Sequence, residues 1–113
     1  MDNQRERIKA IDRLLIRTLK ERVEIGKEIA RIKSGRDLPI EDEAQEQKVI
    51  DRARDYAEEQ IGDCGDEIEE VFEKIIELTK SKMEEWRVAF GRLFFYKFSV
   101  RNTSALCLWK MIA

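Results

Sequence analysis

The sequence predicts an all-α protein built from three helices, and two observations lead to this prediction. The 113 residues include one proline and 41% charged residues, a composition typical of long helices or coiled coils. Apolar residues recur at spacings of three and four along most of the first 85 positions. A chain of this length buries little core alone, so we expect it to gain stability by pairing with a second copy.

The first helix is predicted from about Asn3 to Ser34, with Gly35 at its C-terminal cap. It carries an apolar seam at heptad spacing, formed by Ile8, Ile11, Leu15, Thr18, Arg22, Ile25, Ile29 and Ile32. At about 1.5 Å per residue the helix is about 45 Å long. It is expected to be the longest of the three, and it needs a packing partner along most of its length.

The second and third helices are separated by a polar, glycine-containing turn at residues 62–66. Residues 38–40 (Leu-Pro-Ile) predict a short extended connector, because the residue before proline avoids helical geometry. Acidic residues at 41–43 then favour the start of the second helix, which is expected to run to about Gln60. The third helix is predicted to begin near Asp66.

The chain changes character at Trp86, which divides it into a helical domain (residues 1–85) and a C-terminal extension (residues 86–113). All 24 acidic residues precede Trp86, whereas the extension is basic and rich in aromatic residues. Residues 94–100 predict a strand or an aromatic surface segment. The role of the extension is left open between packing over a dimer, an unrelated addition, and binding of a membrane surface or a partner.

Several classes of protein are excluded by what the sequence lacks. Without histidine there is no Ser-His or Cys-His triad and no histidine-ligated metal. Cys64 and Cys107 lie far apart and fit neither a zinc pattern nor a disulfide framework, so no metal is expected. The polar N-terminus and the lack of a long apolar run predict neither a signal peptide nor a membrane span. We therefore expect a cytoplasmic protein that binds no nucleic acid.

Arg22 is the most informative residue, because it takes a core position in the apolar seam. A buried guanidinium without a partner is very costly, so an anion should lie against it. Lys33 follows 11 residues later on nearly the same face, about 16 Å along the axis, where the two cations can hold a small dianion between them. Arg5 lies about 25 Å from Arg22 along the helix and can join them only from a partner helix.

Each of these cations also has a purely structural interpretation. Arg22 can pair with a glutamate of a neighbouring helix or set the register of a coiled coil. Lys33 can interact with the dipole at the C-terminus of its helix. Arg5, close to the chain terminus, can be a solvated charge.

Together these residues resemble the all-helical class of chorismate mutase, the type II domain, over about residues 3–85. The resemblance is carried by Arg5-Glu6-Arg7-Ile8, Ile11-Asp12, Glu21-Arg22, Lys33, Leu38-Pro39-Ile40, Asp42, Glu46, and Phe72 with Ile75-Ile76-Glu77. It implies a three-helix protomer and an intertwined homodimer with two active sites, each shared between the subunits.

The resemblance also implies the reaction, a Claisen rearrangement of chorismate to prephenate. This is the committed step of the shikimate pathway toward phenylalanine and tyrosine, and it needs no cofactor. By the same resemblance, Arg22 holds one substrate carboxylate and Arg5 of the other subunit holds the second. Lys33 donates to the ether oxygen, and Glu46 takes the ring hydroxyl with help from Asp42.

Three substrate-binding positions of the family are occupied by Gln45, Thr79 and Met83 in this chain. Thr79 suits a position that usually holds a small polar residue. Gln45 stands where an arginine is common. Met83 stands where a glutamine or similar group usually meets the ether oxygen, and methionine cannot donate a hydrogen bond. These two departures predict weakened activity, unless a neighbour substitutes for Met83 or the register of the third helix is shifted.

Three alternatives are left open by the sequence. An isochorismate pyruvate lyase has the same fold and a similar cationic pocket. A non-catalytic helical dimerisation or regulatory module is favoured by Gln45 and Met83. A coiled coil without any ligand is the third alternative.

Overall fold

A computed structural model describes residues 1–100 of the chain, and the side chains of residues 1–90. It contains three helices, α1 (Asp2–Gly35), α2 (Glu43–Gln60) and α3 (Gly65–Val100), and no strand within residues 1–100. The prediction of an all-α, three-helix protomer with a long first helix is confirmed. Predictions for residues 101–113, the end of the extension, lie outside the described residues.

The third helix is longer than the sequence predicts. It has 36 residues and α1 has 34, so the expectation that the first helix is the longest is wrong. Residues 94–100 continue α3 and do not form a strand, because a short apolar run does not by itself distinguish the two structures. One turn earlier, the rings of Trp86 and Phe90 stack with centroids 5.1 Å apart, as neighbours four residues apart in a helix do. The domain boundary at residue 85 lies inside α3 and stays a prediction.

The end of α1 is closed by an aspartate, and the prediction that Gly35 is its cap is wrong. Gly35 is the last helical residue, and Asp37 takes the left-handed conformation with φ of 55°. The Leu38 amide donates to the Lys33 carbonyl at 2.8 Å, and the Asp37 amide donates to Ser34 at 3.3 Å. These two bonds form a Schellman motif, which aspartate permits because it tolerates left-handed geometry better than most residues.

The N-terminus of the second helix is capped by a side chain, which accepts a hydrogen bond from a backbone amide of the first turn. Asp42 is the N-cap residue, and its carboxylate accepts a hydrogen bond from the Gln45 amide at 3.1 Å. Acidic residues follow in the first turn, as the helix dipole favours. The connector between α1 and α2, residues 36–42, is thereby fixed at both ends.

The helix α3 packs against both of the others. Arg22 contacts Thr79, and eight residues further along α1, Ala30 packs against Met83, so α1 and α3 run parallel. Ion pairs from Lys80 to Glu46 and from Arg54 to Glu69 show that α2 runs antiparallel to α3.

Small residues, and not the isoleucine seam, form the surface of α1 that packs against α3. Gly26 and Ala30 are the two buried residues of α1. A Cβ atom on Gly26 would lie 2.7 Å from Cγ2 of Thr79 and 3.3 Å from Cγ of Met83. Ala30, Ile40 and Met83 then form a buried apolar cluster covered by Trp86. The glycine therefore sets how closely the two helices approach.

The isoleucine seam is left largely uncovered within the protomer. All of the first 18 residues of the chain are exposed, including Ile8, Ile11 and Leu15 at 56–58%. The seam isoleucines of the second half of α1 are 41–56% exposed. The radius of gyration is 19.0 Å, compared with about 13 Å for a compact domain of this length. The protomer is thus a thin, elongated arrangement with an open apolar face.

Within residues 1–100, no helix combines the length and the apolar character needed to cross a membrane.

The close approach at Gly26 leads to a prediction about stability. Gly26→Val should lower the free energy of unfolding by about 1–3 kcal/mol, because its γ carbons have no room against Thr79 and Met83. Gly35→Val is the matched control, since nothing lies within 4 Å of a Cβ atom there. The control should change stability by no more than about 0.5 kcal/mol. Urea unfolding followed by circular dichroism measures both, and equal stabilities of the two variants would contradict the proposed packing.

Candidate active site

A cavity of about 420 Å³ lies where α1, the start of α2 and α3 meet. All three helices and the connector contribute to its wall, which is apolar over much of its area and has charged groups at several points. The lining residues are Arg22, Ile25, Gly26, Ile29, Lys33, Ile40, Asp42, Gln45, Glu46, Val49, Ile76, Thr79, Lys80 and Met83. Seven of the eight site residues predicted from the sequence are among them, and Arg5 is the exception.

Arg22 is half-buried in the wall and is held by a hydroxyl group. Its Nη1 donates to Oγ1 of Thr79, and that hydroxyl in turn donates to the Ile75 carbonyl at 2.9 Å. Burial lowers the pKa of the Arg22 guanidinium. Among residues 1–90 no carboxylate forms an ion pair with Arg22, so the glutamate partner of the structural interpretation is not found there. No described carboxylate therefore offsets the positive charge of the guanidinium at the cavity.

Lys33 reaches the cavity from the last turn of α1. Its Nζ donates to the carbonyl oxygen of Ile40 at 3.0 Å. Ile40 belongs to the connector, whose chain direction is reversed by the Schellman motif at Asp37. A carbonyl orients the ammonium group but does not neutralise it, and an ammonium group has two further N–H donors. Lys33 is therefore a second positioned cation without a carboxylate partner in the described part of the chain.

The carboxylates of the site come from the start of α2. Asp42 and Gln45 lie at the exposed rim, where the Asp42 carboxylate is already used as the N-cap. Glu46 lies one turn further in and is half-buried. Its Oε1 accepts from Nζ of Lys80 at 2.8 Å, whereas its Oε2 is buried and has no hydrogen-bond partner among the described residues.

Lys80 is a cavity residue that the sequence analysis missed. Besides Glu46, its Nζ contacts Oε1 of Glu41 at 3.3 Å. The hydrogen bond to Glu46 is the main cause of a raised pKa of Lys80, with a smaller contribution from Glu41. Helical spacing offered a signal, because Lys80 precedes Met83 by three residues and so lies on the same face of α3.

Met83 lies in the cavity wall as the resemblance implies, but as an apolar group. Its side chain is 6% exposed and packs in the cluster with Ala30 and Ile40. The adjacent residues Lys82 and Glu84 do not line the cavity. Met83 therefore brings no hydrogen-bond donor to this part of the wall, and neither sequence neighbour replaces it.

Arg5 lies far from this cavity in the same protomer. It is exposed in the first turn of α1, where its Nη2 lies 3.3 Å from the sulfur of Met1. Seventeen residues of helix, about 25 Å, separate it from Arg22. The expectation that Arg5 cannot join Arg22 and Lys33 within one chain agrees with this placement, and its role in a shared site stays a prediction.

The arrangement is suited to binding a small anion that also carries a hydroxyl group. Arg22 and Lys33 supply positive charge held by neutral partners, and the free oxygen of Glu46 is a hydrogen-bond acceptor. The apolar wall lowers the local dielectric and strengthens these interactions. Within the side chains described, no cluster of three or more cysteines, aspartates and glutamates is arranged to hold a metal ion.

Comparison with known proteins identifies the family. The family model described as chorismate mutase type II matches residues 4–84, which is most of the chain and includes every cavity residue. No curated protein and no solved structure gives a significant match. The matched range and the helical architecture agree with the resemblance in the sequence. The chain belongs to the chorismate mutase type II family.

Proposed function

We propose that this protein is a chorismate mutase, which converts chorismate to prephenate by an intramolecular Claisen rearrangement. The observation that carries the proposal is the pairing of Arg22 and Lys33 in one cavity, each held by a neutral oxygen. Family membership supplies the reaction class. Prephenate formation places the enzyme in aromatic amino acid biosynthesis, which agrees with the cytoplasmic location that we expect from the sequence.

The proposed mechanism relies on charge and shape, since the rearrangement needs no acid, base or nucleophile from the protein. Arg22 binds one substrate carboxylate, and this clamp helps to hold the flexible substrate in its compact reactive shape. As the ether bond breaks, negative charge grows on its oxygen, and Lys33 donates to that atom. Because the donor is already positioned by Ile40, little reorganisation is needed in the transition state.

Substrate orientation is assigned to the start of α2. The unpartnered oxygen of Glu46 accepts a hydrogen bond from the ring hydroxyl of chorismate. Asp42 and Gln45 lie at the rim and help to place the ring. Thr79 contributes indirectly to substrate binding, because its hydroxyl accepts a hydrogen bond from Arg22 and holds that side chain in place.

We further propose that the active protein is an intertwined homodimer. The exposed seam of α1 supports this, because an apolar helix face of this length is stable only when it is covered. A second α1 laid along the seam would bring its own Arg5 to a cavity that this residue cannot reach within one chain. Arg5 of the second subunit then holds the other substrate carboxylate, so each site is completed by both subunits.

We propose that catalysis is slower than it would be with a hydrogen-bond donor at position 83 and an arginine at position 45. Met83 offers no donor to the ether oxygen, so Lys33 stabilises the developing charge without help from that position. Gln45 supplies no positive charge where an arginine is common. The buried, apolar Met83 also supports the second candidate, a non-catalytic dimerisation or regulatory module. A lyase acting on isochorismate is the remaining alternative, which product analysis distinguishes.

Removal of either clamp cation should abolish most of the activity. Arg22→Ala and Lys33→Ala are each expected to lower kcat/KM for chorismate by at least about 100-fold, because each removes charge stabilisation in a water-poor site. Lys74→Ala is the control, since Lys74 is exposed, lies outside the cavity and pairs with Glu77. The loss of chorismate absorbance gives the rates, and chromatography identifies the product.

An active wild type whose Arg22 and Lys33 variants match Lys74→Ala would contradict the proposed clamp. Pyruvate release from isochorismate, without turnover of chorismate, would identify the lyase. A folded wild type that turns over neither substrate would favour the non-catalytic module.

Mixing two inactive variants should restore activity if the sites are shared. Arg5→Ala and Arg22→Ala, unfolded together and refolded as an equal mixture, form about half heterodimers, and each heterodimer has one intact site. We expect about a quarter of the wild-type activity from the mixture and almost none from either variant alone. Arg22→Ala mixed with Lys33→Ala is the control. Arg22 and Lys33 of one site come from the same subunit, so both sites of this heterodimer are defective and no activity should return. Failure of the first mixture to recover activity would exclude a site completed by Arg5.

Replacing Met83 by a donor should speed the reaction. Met83→Gln is expected to raise kcat at least about tenfold, because it adds a hydrogen-bond donor beside the developing oxyanion. Met83→Leu, of similar size but without a donor, should stay within about threefold of the wild type. Single-turnover rates and urea unfolding are measured for both variants. A stable Met83→Gln protein that is no faster than Met83→Leu would show that this position does not meet the ether oxygen.

A further inference from the structure

Lys80 differs from the other two cations of the cavity in the partners that hold it. Arg22 and Lys33 donate to neutral oxygens, whereas the Lys80 ammonium lies 2.8 Å from a carboxylate oxygen of Glu46 and 3.3 Å from one of Glu41. Two negative charges therefore offset one positive charge at this point. Lys80 is therefore poorly suited to attract an anionic ligand, and its contacts indicate a different role.

The two oxygens of Glu46 have different environments. Oε1 accepts from Lys80, and Oε2 is buried without a partner among the described residues, although Glu46 lines the cavity. The last torsion of a glutamate side chain is broad, so an unanchored carboxylate samples many orientations. An ammonium bound to one oxygen restricts that rotation. It leaves the other oxygen as an acceptor of fixed direction, and a buried acceptor without a partner is costly until a donor meets it.

The fold brings Lys80 to this position from a different helix. Because α2 and α3 run antiparallel, Lys80 faces the first turn of α2 and the connector at the same time. Glu41 is part of the connector, and Glu46 is part of α2. The ammonium group thus joins two segments whose relative placement determines where Glu46 lies. Its hydrogen bond to Glu46 raises the pKa of Lys80, so the charged form persists well above neutral pH.

We propose that Lys80 is a positioning residue that orients the carboxylate of Glu46, so that its free oxygen selects substrates with a ring hydroxyl. This inference rests on the proposed function. Lys80 touches neither the substrate nor the reacting atoms in this role. Its contribution is expected to be equal in the ground state and the transition state, since the hydroxyl takes no part in bond breaking.

A double-mutant cycle tests the proposal. Lys80→Met removes the charge and keeps the length of the side chain, and we expect it to raise KM for chorismate about tenfold while kcat changes less than about threefold. In a Glu46→Gln background the same change should alter KM less than about twofold, because the group that Lys80 orients is already altered. Lys80→Arg, which keeps the charge, should restore KM to within about threefold of the wild type.

Two controls separate positioning from general effects. Lys74→Met removes an exposed lysine of the same helix outside the cavity and should leave KM unchanged. Urea unfolding of every variant shows whether the fold persists. If Lys80→Met does not fold, Lys80→Gln replaces it in the cycle.

Each outcome decides the inference. An equal loss from Lys80→Met with and without Glu46→Gln would overturn it and indicate a direct contact between Lys80 and the substrate, or a purely structural role. No effect of Lys80→Met on KM would also overturn it, while the proposed mutase activity would stand. If the wild type does not turn over chorismate, the proposed function fails separately, and the same cycle is run on the dissociation constant of chorismate measured by calorimetry. A wild type that does not bind chorismate would overturn both proposals.

Discussion

The close contact between α1 and α3 is the constraint on which the rest of the structure depends. Gly26 leaves no room for a side chain against Thr79 and Met83, and Ala30 continues the same narrow surface one turn later. At this separation the guanidinium of Arg22 donates to the hydroxyl of Thr79. Because small residues take the contact surface, the larger side chains of α1 face the cavity or the open side of the protomer. The cavity and the uncovered seam are two results of the same packing.

The cations that line the cavity differ in whether their hydrogen-bond partners are neutral or negatively charged. A hydroxyl and a carbonyl orient Arg22 and Lys33 without neutralising them, so both retain the capacity to bind an anion. Lys80 is paired with carboxylates and retains little of that capacity. This difference gives the site a direction, with uncompensated positive charge on the side of α1 and a carboxylate oxygen on the side of α2. A substrate with carboxylates at one end and a hydroxyl at another matches it.

The thin shape of the protomer bears on function as well as on stability. A seam of half-exposed isoleucines and leucines extends along α1, from the cavity to the turn that holds Arg5. A second subunit covering that seam would also close the cavity and exclude water, which strengthens every charged interaction inside it. In the proposed dimer, the free energy of association and the completion of the site therefore come from the same surface.

The sequence did not predict that α3 continues to Val100. It did determine the helical class, the bounds of α1 and α2 and the start of α3 to within about two residues, and Arg22, Lys33 and Glu46 among the residues that line the cavity. These features are local, because periodicity, caps and turns depend on neighbours in the chain. Even there, a local rule placed the end of α1 at Gly35, whereas the structure has Arg36 as the cap and Asp37 as the left-handed residue that follows it. Tertiary structure alone decided that Gly26 and Ala30 pack against α3 in place of the isoleucine seam, and that Lys80 meets Glu46. The physical reason is that these contacts join residues far apart in the chain, and a helix pattern gives the face a residue occupies but not the element that covers it.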